Sequence, residues 1–314
     1  MLEVVEKLLN NIKKVMVGKN EAIELSIIAL ICKGHILLED VPGVGKTTLA
    51  DALARSLACG FKRVQFTPDI MPSDITGYTI INSKTGESEY RQGACMTQIL
   101  LADEINRTSP KTQSALLEVM QERQVTVDGV SYPLPRPFMV LATQNPIDFV
   151  GTYPLPEAQM DRFFMRLNIG YPSHSEEVEL LGRLEGNVNP IDEIRAVCSA
   201  EDIVALQDAV KTVFVSDSVK NYIVSIVQKT RTHKLVRLGA SSRGSIALMH
   251  GSQALALLNN RDYVLPDDVK ALAQSTLSHR IILSPEAEMN DVRQESVIKD
   301  VLSSTPVPGN PGRR

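Results

Sequence analysis

Apolar positions in the first half of the chain fall in short, nearly unbroken runs. They are His35-Ile36-Leu37-Leu38, Arg63-Val64-Gln65-Phe66, Gln98-Ile99-Leu100-Leu101-Ala102, Phe138-Met139-Val140-Leu141-Ala142 and Met165-Arg166-Leu167-Asn168-Ile169. Runs so short and so apolar read as strands buried on both faces. Helical patterns separate them: Leu49, Leu53 and Leu57 recur one turn apart, and Gly60 marks a stop. Strands alternating with helices predict an α/β fold, a parallel sheet covered on both faces.

Two segments break this alternation. Residues 124–132 alternate with period two around Asp128-Gly129, a strong hairpin signal. Residues 78–81 and 88–90, joined through Lys84-Thr85-Gly86-Glu87, suggest a looser hairpin. Beyond Tyr171-Pro172 the strands are expected to stop. Residues 176–184, 199–213, 217–230, 242–258 and 266–279 read as amphipathic helices. Ser199 with Asp202 suits a capping box, and Pro266-Asp267-Asp268 is a first-turn proline followed by acids. The expected division is an α/β domain over 1–172, with hairpin inserts at about 74–93 and 124–133. A linker over 173–198, a smaller all-α domain over 199–290 and a tail over 291–314 follow. From Ser304 the tail is dense in Pro and Gly and is expected to be loose.

Composition narrows the function classes. Hydrophobic content of 43% is ordinary for a protein with real cores. A net charge of −4 supplies no global field to draw the chain to nucleic acid. Cys32, Cys59, Cys95 and Cys198 are scattered in no metal-ligand spacing and read as small buried hydrophobes. The opening residues lack a signal-peptide pattern, and the run from Ile27 to Cys32 is far too short to cross a bilayer. A cytoplasmic location without a membrane span is the expectation.

The chemistry begins at Glu39-Asp40-Val41-Pro42-Gly43-Val44-Gly45-Lys46-Thr47-Thr48, between a predicted strand and a predicted helix. That context makes it a phosphate-binding loop, a Walker A motif. Gly43 and Gly45 let backbone N–H groups approach phosphates, with Pro42, Val44 and Thr48 completing the loop. Lys46 would neutralise the β/γ-phosphates and the Thr47 hydroxyl would hold Mg²⁺. One departure stands out: the full pattern has Gly where this chain has Asp40. Ile99-Leu100-Leu101-Ala102-Asp103-Glu104 then ends a buried strand in two carboxylates. Asp103 suits the Mg²⁺ shell, and Glu104 suits orienting and deprotonating the attacking water. Asn145, at the end of the strand over 138–142, could bond the γ-phosphate and that water; an ordinary loop asparagine before proline is the plainer alternative. Arg162, ahead of the last strand, reads as a surface ion pair or as a cation for the transition state. Arg243 opens a helix, where the dipole gives it nothing and an anion would.

Together these residues closely resemble the MoxR family of AAA+ ATPases, from about Val17 to Val269. The matches include residues 39–48, Gln-Phe-Thr-Pro-Asp (65–69), Pro-Ser-Asp-Ile-Thr-Gly (72–77) and Leu-Leu-Ala-Asp-Glu-Ile-Asn-Arg (100–107). They continue through Lys-Thr-Gln-Ser-Ala-Leu-Leu-Glu (111–118), Met-Gln-Glu-Arg-Gln-Val-Thr-Val-Asp-Gly (120–129), Ala-Thr-Gln-Asn-Pro (142–146) and Gly-Thr-Tyr-Pro-Leu-Pro-Glu-Ala-Gln (151–159). Asp at position 40 is frequent in that family. The resemblance implies an AAA+ core with a five-stranded parallel sheet and an all-α lid. It implies that Asn145 is sensor 1, Arg162 the arginine finger, Arg243 sensor 2, and Val17-Gly18 a contact to adenine. The hairpins resemble the helix-2 insert and the pre-sensor hairpin. ATP and Mg²⁺ are the implied cofactors. The finger would act on a neighbouring subunit's nucleotide, in a ring usually of six, a homo-hexamer. Clients in this family are proteins assembled, activated or supplied with metal, often alongside a partner bearing a von Willebrand factor A domain.

The expected function is therefore a ring-forming, chaperone-like ATPase that remodels a protein client. The alternative is a nucleic-acid-dependent motor of the helicase-like AAA+ clade. The acidic balance, the missing aromatic-basic cluster, and the offset of Lys84 and Arg91 by Glu87 and Glu89 argue against it. A nucleotide-gated scaffold without turnover is disfavoured because every catalytic position is filled.

Overall fold

The computed structural model describes residues 2–84, 86–145, 151–184 and 189–309. The chain forms two compact units, one of residues 1–156 and 167–205, the other of 157–166 and 206–314.

The apolar runs become strands at the positions predicted from their pattern. They are β1 (Ile36–Glu39), β2 (Phe61–Gln65), β5 (Ile99–Asp103), β8 (Met139–Gln144) and β9 (Met165–Leu167), in the order β2-β5-β8-β1-β9. The β2–β5, β5–β8 and β1–β8 pairs are parallel. Leu37, Leu38, Ile99, Leu100, Leu101, Val140 and Leu141 are all buried. Such strands cannot alternate polar and apolar residues, because helices cover both faces. The register sets Gln65 beside Asp103 and Glu39 beside Gln144, so polar residues collect at the strands' carboxyl ends. In parallel α/β sheets that is the edge where ligands bind.

Both inserts are hairpins: β3 (Gly77–Ile81) with β4 (Ser88–Gln92), and β6 (Gln124–Val127) with β7 (Val130–Pro133). Thr85 lies outside the described residues. Asp128 (φ 49°) and Gly129 (φ 79°) are both left-handed, as a type I′ turn requires. The rings of Tyr90 and Tyr132 stack at 4.0 Å and join the two hairpins.

His35 starts β1 and is buried. Its Nδ1 accepts from Val140 N (3.0 Å), so its Nε2 donates to Met120 O (3.0 Å) and the ring is a neutral tautomer. Burial pushes its pKa down to about 4, with Arg123's charge adding to this. An unfolded histidine titrates near 6.5, so the unfolded chain binds more protons across that window and stability falls as pH falls. Stability should drop by about 2 kcal/mol between pH 8 and pH 5 from this residue. Denaturant melts of His35→Gln should show a shallower pH slope; an unchanged slope would assign the loss elsewhere.

The second unit is built from helices, among them Asp217–Thr232, Ser242–Leu258 and Pro266–Leu277. Ser216 and Ser241 cap the first two by accepting from Val219 N and Arg243 N. The expected capping box at Ser199 and Asp202 forms, each backbone N–H meeting the other's side chain.

Three expectations need correction, and one ambiguous segment takes shape. Strands do not stop at 172: β10 (Val236–Leu238) pairs antiparallel with β11 (Ile282–Leu283), too short to show a period. The span 173–198 is not a free linker but part of the first unit, where Asn11 donates to Arg195 O (2.8 Å) and Val197 N to Ser56 O (2.9 Å). Residues 291–302, whose pattern is ambiguous, carry a packed helix, Gln294–Ser304, with Val297, Ile298 and Val301 buried; residues 310–314 lie outside the described residues. Finally, 157–166 groups with the second unit rather than the α/β domain. There the buried Arg280 donates to Phe163 O (2.6 Å) and Phe164 O (3.2 Å) and pairs with Asp161 (2.9 Å). Of the cysteines only Cys95 is buried; Cys32, Cys59 and Cys198 are half-exposed.

Among the described residues no helix is long and apolar enough to cross a membrane.

Candidate nucleotide site

β1 ends at Glu39 and the chain turns through 40–45 into the helix Lys46–Ser56. Gly43 (φ 86°) and Gly45 (φ 93°) are left-handed, a conformation that side chains resist. A Cβ on Gly43 would meet nothing within 4 Å, so backbone conformation and not crowding demands glycine there. Val44 is buried and anchors the loop, while Pro42 and Gly43 are exposed. The helix start leaves unsatisfied N–H groups facing the loop, a ready site for phosphate. Thr47 lies exposed in the first turn, with Thr48 half-buried behind it. Lys46 Nζ donates to Asp40 O (2.7 Å). Val17 is buried, and Gly18 (φ 70°) follows it between the helices Leu2–Lys13 and Asn20–Ile31.

The two carboxylates at the end of β5 are held by different partners. Asp103 is buried; its Oδ1 accepts from Thr143 Oγ1 (2.6 Å) and its Oδ2 from Arg63 Nη2 (2.7 Å) and Nε (3.1 Å). Glu104 is left-handed (φ 57°, ψ 49°), a strained state for a side chain that costs on the order of 1–3 kcal/mol. Its N–H donates to Thr143 Oγ1 (2.9 Å), its Oε2 accepts from Gln65 Nε2 (2.5 Å), and Arg107 Nε lies 3.2 Å away. Thr143 thus ties the Asp103 carboxylate and the Glu104 main chain to β8.

Asn145 is buried one residue past β8, and Gln144 donates to Glu39 Oε1 (2.6 Å). Pro146, which closes the expected motif, lies outside the described residues. The hydroxyl of Thr47 and the carboxylate of Asp103 are hard oxygen donors, the kind Mg²⁺ takes when phosphates and waters complete its shell. That donor set fits.

The second unit carries Arg162 and Arg243. Both are exposed, and among the described residues no hydrogen bond or ion pair holds either side chain. Asp161 joins their segments: its Oδ2 accepts from Ser241 Oγ (2.9 Å), and Ser241 Oγ accepts from Arg243 N (3.0 Å). The ion pair beside the last strand is a buried one, Asp161 with Arg280, and Arg162 takes no part in it. So Val17, Gly18, residues 42–48, Asp103, Glu104 and Asn145 belong to one unit and the two arginines to the other.

Sequence reading passed over Arg63, Gln65, Arg107 and Thr143 as functional positions. Gln65, Arg107 and Thr143 stand inside motifs it quoted, but their neighbours follow from strand order, which pattern alone does not supply.

Residues 35–165 match the ATPase family associated with various cellular activities, and residues 228–301 match the AAA lid domain. These matches fall on the sheet with its phosphate loop and on the helical unit, and they set the class: an AAA ATPase with a lid. A solved structure from Cytophaga hutchinsonii, of a protein proposed to be an ATPase, superimposes with a TM-score of 0.91 at 39% identity. It covers 98% of this chain and 96% of that one. The uncharacterized protein YeaC of Bacillus subtilis is 55% identical over 302 residues, 96% of this chain and 94% of that protein. Chaperone MoxR1 of Mycobacterium tuberculosis is 41% identical over 312 residues, 96% of this chain and 82% of that protein. The chain belongs to the MoxR family of AAA+ ATPases.

Proposed function

We propose that this ATPase works as an oligomeric ring, a homo-hexamer, that turns ATP hydrolysis into remodelling of a protein client. The observation that carries the reading is the division of the chemistry. Loop, carboxylates and Asn145 stand in one unit, while the exposed cations Arg162 and Arg243 stand in the other.

In this reading Lys46 and the N–H groups of residues 43–48 hold the triphosphate, and Val17-Gly18 meets the adenine. Thr47 and Asp103 would hold Mg²⁺, which would supply charge neutralisation to the phosphates. Glu104 orients and deprotonates water, and Asn145 bonds the γ-phosphate. Arg162 reaches the nucleotide of the next subunit, and Arg243 registers loss of the γ-phosphate. The similarity to a protein named as a chaperone supports a protein client. Assembly or metal insertion of that client, and a partner with a von Willebrand factor A domain, extend the same reading.

Analytical ultracentrifugation beside a phosphate-release assay tests it. Turnover per chain should rise with protein concentration in step with assembly in ATP. Full turnover at dilutions where only monomer sediments would overturn the ring.

A further inference from the structure

The phosphate-loop pattern calls for glycine at position 40, a residue without a side chain, yet this protein places a buried carboxylate there. Asp40 sits just before the loop whose lysine awaits a highly charged anion, so its negative charge opposes that anion's binding. A buried charge is also costly unless it is hydrogen-bonded. The residue therefore needs a structural account beyond phosphate attraction.

Its bonds supply one. Oδ1 accepts from Val41 N (3.0 Å), while Oδ2 accepts from Ile169 N (2.6 Å) and Gly170 N (2.7 Å). Gly170 is left-handed (φ 69°), and its N–H converges with that of Ile169 on a single oxygen, the arrangement of an anion-binding nest. The nest is filled by the chain's own carboxylate. Meanwhile Asp40 O accepts from Lys46 Nζ (2.7 Å). One residue thus holds the phosphate-loop lysine by its main chain and the segment after β9 by its side chain.

That segment runs on to the other end of the expected nucleotide cleft. Tyr171 O accepts from Lys19 Nζ (2.8 Å), and Ser173 N donates to Glu176 Oε2 (2.7 Å). The Glu176 carboxylate lies directly on Gly18, where a Cβ would collide with Oε1. Residues 169–176 are therefore fastened at one end to the phosphate loop and at the other to residues 18–19.

We infer that Asp40 is a positioning residue that registers the phosphate loop against the 169–176 segment, and through Lys19 and Glu176 against the Val17-Gly18 turn. This rests on the reading of Lys46 as the phosphate contact. The spacing between the two ends of the cleft is then set by a carboxylate–amide joint, and nucleotide is held at both ends together.

Two explanations of Asp40 predict opposite signs. If it acted only through its charge, removing that charge would tighten ATP binding. As a positioning residue, its replacement loosens binding. Asp40→Asn offers one acceptor oxygen where the carboxylate satisfied three N–H groups with two, and Asp40→Gly offers none. Titration with a fluorescent ATP analogue should show affinity about tenfold weaker for Asp40→Asn and weaker again for Asp40→Gly. Lys19→Ala, a surface change, should weaken binding on its own and be less than additive with Asp40→Asn, since both cut one belt. Hydrogen exchange at the Ile169 and Gly170 amides should speed up in Asp40→Asn at a temperature where the fold is intact.

Unchanged or tighter ATP binding in Asp40→Asn, or strict additivity with Lys19→Ala, would overturn the inference. Lys46→Ala serves as the separate control. If it binds nucleotide like the unaltered protein, the phosphate-site reading itself fails, whatever Asp40→Asn shows.

Discussion

Arg162→Ala should lower ATP hydrolysis by about 10³–10⁵-fold, the range for losing an arginine that meets the transferring phosphoryl group, while leaving ATP binding close to normal. The side chain is exposed and tied to nothing among the described residues, so its removal should cost little stability. Asp161 and Arg280, not Arg162, hold the turn in place. The loss should therefore be one of rate. Because the arginine is proposed to serve the neighbour's nucleotide, mixing Arg162→Ala subunits with Lys46→Ala subunits should restore part of the activity. The first supplies an intact phosphate loop and the second an intact finger. Mixed assemblies verified by mass spectrometry yet inactive at every ratio would refute a finger acting between subunits.

Replacing Glu104 with glutamine should slow hydrolysis by about 10²–10⁴-fold, the usual contribution of a positioned general base. The amide keeps the side chain's size and can accept from Arg107 and Gln65, so the local fold and ATP binding should persist. A carboxylate in a strained left-handed residue, held by a neighbouring strand's glutamine and by an arginine, is costly to build for structure alone. The variant should accumulate as an ATP-bound form, suited to trapping client and partner. A phosphate-release rate equal to that of the unaltered protein would remove Glu104 from the chemistry and return it to a structural role.

Legibility varied with the range of the interactions concerned. The five strands of the sheet, four of them buried and the edge strand β2 exposed, and the hairpin turn at Asp128-Gly129 were readable because each signal lies within a few consecutive residues. The phosphate loop was readable for the same reason, since glycine spacing, lysine and threonine are contiguous. The helix Gln294–Ser304 was not, because its buried face is three residues, too few for a period against a Pro/Gly-rich neighbour. The boundary at 157–166 was hidden because what draws that segment to the second unit is Arg280, more than a hundred residues later. Residues 173–198 were read as a linker carrying one helix at 176–184, yet Ile194 is buried and Arg55 pairs with Asp192.

The same division runs through the site. By itself the sequence determined the family, the parallel sheet and the helical second unit, and it proposed Lys46, Asp103 and Glu104 for the site, because local patterns encode these. Only the tertiary structure decided that Arg63 and Thr143 clamp Asp103, that Gln65 and Arg107 hold Glu104, and that Asp40 grips Ile169 and Gly170. The reason is physical. A hydrogen bond needs its partners within about 3 Å, and strands distant in sequence come that close only once the sheet's order and register are set.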